Sequence, residues 1–333
     1  MSTGEDRRPL LLGAADVAKV LDLDTALASQ REAFSRLGRG EADQPARLVL
    51  PGSEDGSLAF CYAARLAPGS GPVSKFGSVN PGNAAAGRPT VGATVLLLDP
   101  DDGRLVAIVE GTTLTALRTS AASALAATLL ARPGAATAAV LGPGVQGRGH
   151  VRALAHALPL EEVRLWGRDR QAAGRAAAEL DREVGPRVLA AATVAEAVAG
   201  ADVVAACTAS ADPLVEAEQL GPGATVISIG SIAPDRSEVG LSVLAAAGTV
   251  VVDHPPAALE HAGPVLQALA AGLLHERDLV GLGEVASGRH PGRRGPDDLV
   301  FYNSLGLGVQ DAAAAWAIVD RAPGLGVGRR VEL

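Results

Sequence analysis

The stretch "AAVLGPGVQGRGH", residues 138–150, decides the fold of this chain. Gly142, Gly144 and Gly147 stand there in the spacing GxGxxG, after a β-like run and before a helical pattern. A chain with 40 glycines can contain this spacing by chance, but the strand and helix around it favour a dinucleotide site. Gly142 would permit the tight turn, Gly144 the approach of a pyrophosphate, and Gly147 close packing of helix on strand. The alternative is a glycine-rich turn that binds nothing.

From residue 136 onward the chain alternates between strand and helix patterns. Strand-like runs such as "TAAVLG", "EVRLW", "ADVVAACTAS" and "GATVISIGS" are separated by helical runs such as "QGRGHVRALAHAL" and "RQAAGRAAAELDREV". Alternation of this kind builds a parallel sheet with helices on both faces. The sequence therefore predicts an α/β fold with a Rossmann-type, doubly wound parallel sheet.

The residues before the motif have a different pattern. Residues 14–38 show helical spacing up to Gly38, and the sequence predicts one helix over them. Short apolar runs follow, "ARLVLP", "SLAFCYAARL", "PVSKFGSV" and "ATVLLLDPDDGRLVAIVEG", and "DPDDG" in the last of them predicts a hairpin turn. Two further helices are predicted, one over "TTLTALRTSAASALAATLLARPG" and one near the C-terminus over "SLGLGVQDAAAAWAIVDRA".

Composition excludes several classes of function. The chain has 333 residues, 48% hydrophobic and 20% charged, which is enough to bury a sizeable core. Its net charge of −8 and the lack of a basic run argue against nucleic acid as a partner. The six histidines show no HxxxH or HExxH spacing, so no metal site is predicted.

Cysteine usage and apolar segments indicate the compartment. Cys61 and Cys207 form no CxxC pair, which fits a reducing environment and packed thiols. The N-terminal residues lack the core of a signal peptide, and the apolar stretches fall short of the ~18 residues that a membrane span needs. The sequence predicts a cytoplasmic protein without a membrane partner.

The residues after the second strand of the alternating region bear on cofactor choice. An acid at this point usually holds the ribose hydroxyl of NAD, whereas an arginine accommodates the extra phosphate of NADP. Arg168 follows "VRLW" two residues later, so we favour NADP(H), with NAD(H) as the alternative. Arg168 and Asp169 could instead be solvated loop charges, and Asp169 could face a ribose.

Three cations outside the alternating region are candidates for binding an anion. Lys75 is one of only two lysines, with Lys19, in a chain with 29 lysines and arginines. Arg118 lies among small apolar residues with no acid within four positions, and a buried cation needs a partner. A ligand carboxylate is an attractive partner for a guanidinium fork. Arg47, Lys75 and Arg118 could each be a structural charge, but together they suggest a clamp for an α-amino or α-keto acid.

Several segments together resemble the ornithine cyclodeaminase and mu-crystallin family, in register from about residue 40 to about residue 320. They are "SKFGSVNPGN", "LTALRTSAASALAA", "AVLGPGVQGRGHVRAL", "VRLWGR", "ISIGSIAPDRSE" and "FYNSLGLGVQD". The resemblance implies a homodimer. It also implies a Rossmann domain over residues 126–305, inserted in an α/β substrate-binding and dimerisation domain over residues 1–125 and 306–333.

The resemblance further implies roles for individual residues. Arg47, Lys75 and Arg118 match positions that hold the substrate carboxylate, with Lys75 as the catalytic residue beside the reacting carbon and Arg118 also near the cofactor. The remaining matched positions contact the cofactor: Thr90 and Thr119 near nicotinamide or phosphate, Val145 and Gln146 in the pyrophosphate loop, and Thr208, Ile229 and Ser304 on the nicotinamide side.

One position departs from the cyclodeaminase pattern. Ile232 stands where ornithine cyclodeaminases carry an aspartate, and an isoleucine cannot transfer a proton. The sequence therefore predicts an NAD(P)H-dependent oxidoreductase that reduces a C=N bond of a small imino acid, or dehydrogenates an amino acid in reverse. An amino-acid cyclodeaminase that recycles its cofactor and a mu-crystallin-like ligand-binding protein are the alternatives.

Overall fold

The computed structural model describes residues 6–52, 56–231 and 233–333. The chain divides into two compact units. The first unit comprises Met1–Arg118 and Leu307–Leu333, and the second comprises Thr119–Gly306. No helix in the described part of the chain is long and apolar enough to cross a membrane.

The helices and strands are numbered in chain order. The strands are β1 (Leu10–Leu12), β2 (Leu48–Pro51), β3 (Leu58–Ala64), β4 (Val73–Val79), β5 (Val91–Leu98), β6 (Leu105–Glu110), β7 (Thr137–Leu141), β8 (Glu162–Trp166), β9 (Arg187–Ala190), β10 (Val203–Ala206), β11 (Thr225–Ser228), β12 (Ala247–Val252), β13 (Leu279–Gly281), β14 (Leu299–Asn303) and β15 (Arg329–Arg330). The helices are α1 (Ala14–Val20), α2 (Leu23–Gly38), α3 (Gly111–Leu130), α4 (Val145–Ala157), α5 (Arg170–Leu180), α6 (Val194–Val198), α7 (Leu241–Ala246), α8 (Pro255–His261), α9 (Gly263–Ala270), α10 (Leu282–Ala286) and α11 (Gly308–Arg321).

The first unit is built on a seven-stranded mixed sheet in the order β15-β1-β6-β5-β4-β3-β2. All neighbouring strands are antiparallel except β1 and β6, which run parallel. The hairpin predicted at "DPDDG" joins β5 and β6, as expected. Helix α11 packs on β3, β4 and β5 and against α2, so it covers one face of the sheet.

The single helix predicted over residues 14–38 is wrong in one respect. The structure has two helices there, α1 and α2, which are separated at Leu21 and Asp22. Asp22 has an extended backbone and its side chain accepts a hydrogen bond from the Thr25 amide, so it begins a new helix. The predicted end at Gly38 agrees with the structure.

The second unit is built on an eight-stranded sheet in the order β13-β12-β14-β11-β10-β7-β8-β9, and all its strand pairs are parallel. The chain builds the sheet from β7 outward through β8 to β9. It then returns to place β10 on the other side of β7, and the later strands extend the sheet from β10. Strands covered on both faces are apolar throughout, and Val140, Val204 and Phe301 are fully buried. The predicted fold class is confirmed.

Candidate active site

One row of cross-strand neighbours in the first unit contains Lys75. Tyr62 in β3, Lys75 in β4 and Val95 in β5 lie opposite one another in the register of the sheet, and their side chains therefore share a face. Arg47, just before β2, donates a hydrogen bond from Nη1 to the Tyr62 hydroxyl at 3.4 Å. The structure thus brings both Arg47 and Lys75 to Tyr62, which the sequence analysis did not single out.

Lys75 is buried in a polar pocket of its own. Its side chain is 3% exposed, and its Nζ lies 3.0 Å from the Thr115 hydroxyl and 3.0 Å from each carboxylate oxygen of Asp311. The rings of Phe60 and Tyr62 have their centroids 5.8 and 5.3 Å from Nζ. Lys75 is therefore enclosed by one carboxylate, one hydroxyl and two aromatic rings.

Arg118 has an internal partner that the sequence analysis did not expect. Its Nε donates to Oδ1 of Asp311 at 3.0 Å, and the two residues are 193 positions apart. The sequence analysis suggested a ligand carboxylate as the partner of Arg118 because it considered nearby residues alone, and the structure supplies a carboxylate from within the chain. The sequence did contain an indication of this contact, because Asp311 lies on the alanine-rich helix α11. An acid on an apolar helix face is rarely buried without a partner.

These three groups form the cation cluster: Lys75, Arg118 and Asp311. Two cations and one carboxylate leave one positive charge in excess. Burial alone would raise the pKa of Asp311, but Arg118 and then Lys75 outweigh it, so that the pKa lies below its ordinary value. Burial lowers the pKa of Lys75 to about 8, and the attraction of Asp311 opposes this while the repulsion of Arg118 adds to it.

The predicted cofactor residues of the second unit follow five consecutive strands of its sheet. In the order of the sheet, Ser304 follows β14, Ile229 follows β11, Thr208 lies two residues after β10, the glycine loop follows β7, and Arg168 lies two residues after β8. The carboxyl ends of parallel strands share one edge of a sheet, and ligands of doubly wound folds bind where the strand order reverses. Here the order reverses between β7 and β10, beside the glycine loop.

The glycine loop has the geometry that a pyrophosphate needs. Gly142 has φ +108°, and a Cβ there would lie 2.6 Å from the Cys207 carbonyl oxygen. A Cβ on Gly147 would lie 1.7 Å from the Gly142 carbonyl oxygen, so no side chain fits at either position. At Gly144, in contrast, a Cβ would meet nothing within 4 Å among the described residues. The open side of the loop at Gly144, together with the exposed Val145 at the start of α4, fits a dinucleotide phosphate.

The Gln146 backbone is held by a buried histidine. Nδ1 of His150 lies 2.8 Å from the Gln146 carbonyl oxygen, and Nε2 lies 2.8 Å from the Ser123 hydroxyl. Burial lowers the pKa of His150 to about 4, so the ring is neutral. It therefore donates to the carbonyl through Nδ1 and accepts from the serine through Nε2, and it braces α4 as a structural residue.

A buried glutamate that the sequence analysis did not single out, Glu238, connects two of the strand ends. Oε1 of Glu238 accepts from the Thr208 amide and hydroxyl at 2.6 and 2.8 Å. Its Oε2 accepts from the Ser228 hydroxyl at 2.8 Å and the Gly230 amide at 2.7 Å. Burial raises the pKa of Glu238 in spite of these hydrogen bonds. The turns after β10 and β11 are thus fixed to one carboxylate.

Ser304 lies in a turn that a second buried acid holds. Asp253 accepts hydrogen bonds from the Leu305 and Gly306 amides, both at 2.7 Å, and from the Tyr302 hydroxyl. Ser304 itself donates to the same carboxylate at 3.4 Å. These contacts fix the turn after β14.

The remaining predicted residues are spread over both units. In the first unit, the carbonyl of Thr90 accepts from the Asn80 amide at 2.7 Å. Thr119 is buried on α3, at the start of the second unit. Arg168 is exposed, and Ile232 lies outside the described residues. Asp169 begins α5, where its carboxylate accepts from two amides of the first turn at 2.9 and 3.0 Å.

The parallel sheet with its fingerprint loop after β7 defines a protein of the Rossmann class. The chain matches the ornithine cyclodeaminase/mu-crystallin family over residues 7–325. It therefore belongs to that family, and the predicted resemblance is confirmed.

Relatives with known activities are similar over almost the whole chain. The ketimine reductase mu-crystallin of Mus musculus is 33% identical over 318 residues, which cover 94% of this chain and 97% of the relative. Among solved structures, the Δ1-pyrroline-2-carboxylate reductase of Thermococcus litoralis in complex with NADH and L-proline has a TM-score of 0.92 at 27% identity, covering 97% of this chain and all of the other. An archaeal alanine dehydrogenase dimer with bound NAD has a TM-score of 0.90 at 28% identity, covering 98% and 99%.

Proposed function

We propose that this protein is an NAD(P)H-dependent oxidoreductase that reduces the C=N bond of a small imine carboxylate, or dehydrogenates the corresponding amino acid in reverse. The observation that carries the proposal is the cation cluster, a buried group of charges with one positive charge in excess. A substrate carboxylate supplies the charge that neutralises it. The activities of the mouse ketimine reductase, the Thermococcus litoralis reductase and the archaeal alanine dehydrogenase support the same reaction class.

The chain's own side chains perform the polar part of the reaction. Arg118 and Arg47 hold the substrate carboxylate, since guanidinium groups bind carboxylates through two parallel hydrogen bonds. Lys75 donates a proton to the imine nitrogen during reduction and accepts it during oxidation, as a general acid and base with a pKa of about 8 can do near neutral pH. The rings of Phe60 and Tyr62 exclude water from Lys75, which strengthens its interactions with charge. A bound nicotinamide supplies or accepts the hydride.

The second unit holds the cofactor in this proposal. The open side of the loop at Gly144 and the N-terminus of α4 bind the pyrophosphate, and the turns fixed by Glu238 and Asp253 form the nicotinamide side. NADP(H) is the preferred form. Asp169 supports this preference because its carboxylate is engaged in starting α5, whereas Arg168 beside it is exposed and can reach a phosphate.

We also propose a homodimer, formed through the outward face of the first unit's sheet. Leu48, Phe76 and Leu96 present their side chains there, 69%, 57% and 39% exposed. Leu48 and Phe76 both lie opposite Cys61 in the register, so they form one apolar row. A patch of this kind is typical of an interface, and a solved structure similar to this chain is a dimer. Replacing Phe76 with glutamate should yield monomers by light scattering, and an unchanged mass would reject this face.

The activity is tested by following the absorbance of NADPH and NADH with a panel of carbonyl and imine acids. The panel contains pyrroline and piperideine carboxylates and 2-oxo acids with ammonia or an alkylamine. We expect stoichiometric consumption of NADPH with at least one cyclic imine carboxylate, and loss of activity in Arg118→Ala. A flat trace across the panel with release of ammonia from ornithine would favour a cyclodeaminase instead. Tight binding of an apolar ligand without turnover of any substrate would favour a binding protein.

A further inference from the structure

We propose that Asp311 is a positioning residue that holds Lys75 in place and keeps it protonated for the reduction. The inference rests on the proposed function in one respect, since it assigns Lys75 the role of proton donor. It adds a residue on the C-terminal helix α11, far along the chain from the glycine loop and from Lys75 itself.

The hydrogen bonds around Lys75 account for its fixed position. The Thr115 hydroxyl donates to the Gly111 carbonyl at 2.6 Å, so its oxygen is left to accept from Lys75. The two oxygens of Asp311 accept from the same ammonium. Thr115 lies on α3 and Asp311 on α11, and one N–H can be shared by the two oxygens of a single carboxylate, so the third hydrogen of the ammonium is left for a substrate nitrogen. The Lys75 nitrogen is thereby tied to two helices at once.

Asp311 also affects the proton affinity of Lys75, because it is the carboxylate among the groups that face the ammonium. Helix α3 presents the permanently charged Arg118, α11 presents Asp311, β3 presents Tyr62, and β5 presents the apolar Val95. Burial and the repulsion of Arg118 both favour the neutral amine of Lys75, and Asp311 opposes them. Replacing Asp311 with asparagine keeps its size but removes the charge, so the proton affinity of Lys75 should fall.

The two directions of the reaction need opposite forms of Lys75. Reduction needs the ammonium, so its rate falls as pH rises through the pKa of Lys75. Oxidation needs the free amine, so its rate rises through the same pKa. Loss of the Asp311 charge therefore moves both pH limbs toward lower pH, whereas a purely structural defect lowers both plateaus without moving either limb.

The protonation of Lys75 can be observed directly, because the chain has only two lysines. Protein labelled with ¹³Cε-lysine should give two side-chain signals by NMR, and Lys75→Arg assigns them. Lys19 is exposed and serves as the internal reference. In Asp311→Asn we expect the Lys75 signal to titrate roughly one to three pH units lower than in the wild type, with Lys19 unchanged. Asp320→Asn, an exposed aspartate on the same helix, is the matched control and should leave both signals unchanged.

A second variant guards against misfolding of Asp311→Asn. Thr115→Val removes a neutral acceptor from Lys75 and leaves the Asp311 charge in place, so the Lys75 signal should shift in the same direction by less. An Lys75 signal that titrates at the wild-type pH or above it in Asp311→Asn would overturn the inference, as would an equal shift in Asp320→Asn.

The pH profiles of both reaction directions complete the test. If the wild type is active, a shift of both pH profiles to lower pH in Asp311→Asn supports the inference. Profiles that do not shift reject it. A wild type inactive on the whole panel rejects the proposed function and leaves the NMR titration to decide whether Asp311 controls the charge of Lys75. The two failures are therefore distinguishable.

Discussion

Two buried carboxylates, one in each unit, have opposite surroundings. Asp311 in the cation cluster is 1% exposed and pairs with Lys75 and Arg118. Glu238 in the second unit is fully buried and accepts four hydrogen bonds from neutral amide and hydroxyl groups. Burial raises the pKa of both carboxyl groups, but cations reverse the direction only at Asp311.

The comparison separates two uses of a buried acid. At Asp311 both partners are themselves charged, so in the proposed mechanism this carboxylate controls the protonation of Lys75. At Glu238 it organises geometry, because its four donors belong to the turns after two adjacent strands. Neutral donors compensate the burial of the Glu238 carboxylate only partly, and its pKa is therefore raised.

The largest effect on activity is expected from a substitution in the cation cluster. Lys75→Met should lower kcat by about two to four orders of magnitude, the usual contribution of a general acid, with little change in the Kd of the cofactor. Steady-state kinetics and fluorescence titration with NADPH measure the two quantities. Lys19→Met is the matched control and should behave as wild type. Full activity in Lys75→Met would remove its assigned role.

A smaller effect is expected at Glu238, whose partners are neutral. There the Kd of the cofactor should change more than kcat. Glu238→Gln turns an amide nitrogen toward groups that donate, which leaves one or two buried donors unpaired. The free energy of unfolding should fall by about 2 to 4 kcal/mol, and the Kd of the cofactor should rise about tenfold, with kcat at saturation affected less. Urea denaturation and cofactor titration test this, with the exposed Glu218→Gln as the control. An unchanged cofactor Kd would show that the turns do not depend on Glu238.

The two carboxylates should also give opposite pH dependence of stability. The pKa of Asp311 is lowered on folding, so its stabilisation is present above the unfolded value of 3.8 and is lost as pH falls through the folded pKa. The pKa of Glu238 is raised above 4.5, so the folded state gains stability as pH falls toward that value. Urea denaturation of wild type, Asp311→Asn and Glu238→Gln between about pH 3 and pH 5, where Lys75 stays protonated in every variant, should show differences from wild type of opposite slope. Parallel slopes would contradict the comparison.

The smallest effect concerns cofactor choice. Arg168→Gln should reduce the preference for NADPH over NADH by about tenfold in kcat/KM, as expected when one charged contact to a phosphate is lost. Arg170→Gln, two residues later at the start of α5, is the control. An unchanged ratio of kcat/KM for NADPH to that for NADH in Arg168→Gln would mean that another group contacts the ribose phosphate.

Much of the fold could be predicted because its signals are local. The hairpin at "DPDDG", the end of α2 at Gly38 and the strand and helix alternation after residue 136 depend on turn residues and periodicity within a few positions. The break at Asp22 was missed because helical spacing continues across it, and only the capping hydrogen bond reveals a new helix. The sequence singled out Arg47, Lys75 and Arg118 as candidates but not Tyr62, Asp311 or Glu238, because the contacts of these three residues join positions remote in sequence.

The sequence by itself determined the glycine loop and the parallel sheet around it, since both follow from short-range geometry. Gly147 can be nothing else, because a Cβ there would meet the Gly142 carbonyl oxygen within the same turn. Only the tertiary structure decided that Asp311 pairs with Lys75, 236 positions away, and with Arg118, 193 positions away. The burial and the charge pairing of these side chains depend on how α11 packs on the sheet. The spacing of residues along the chain does not determine which remote side chains that packing brings together.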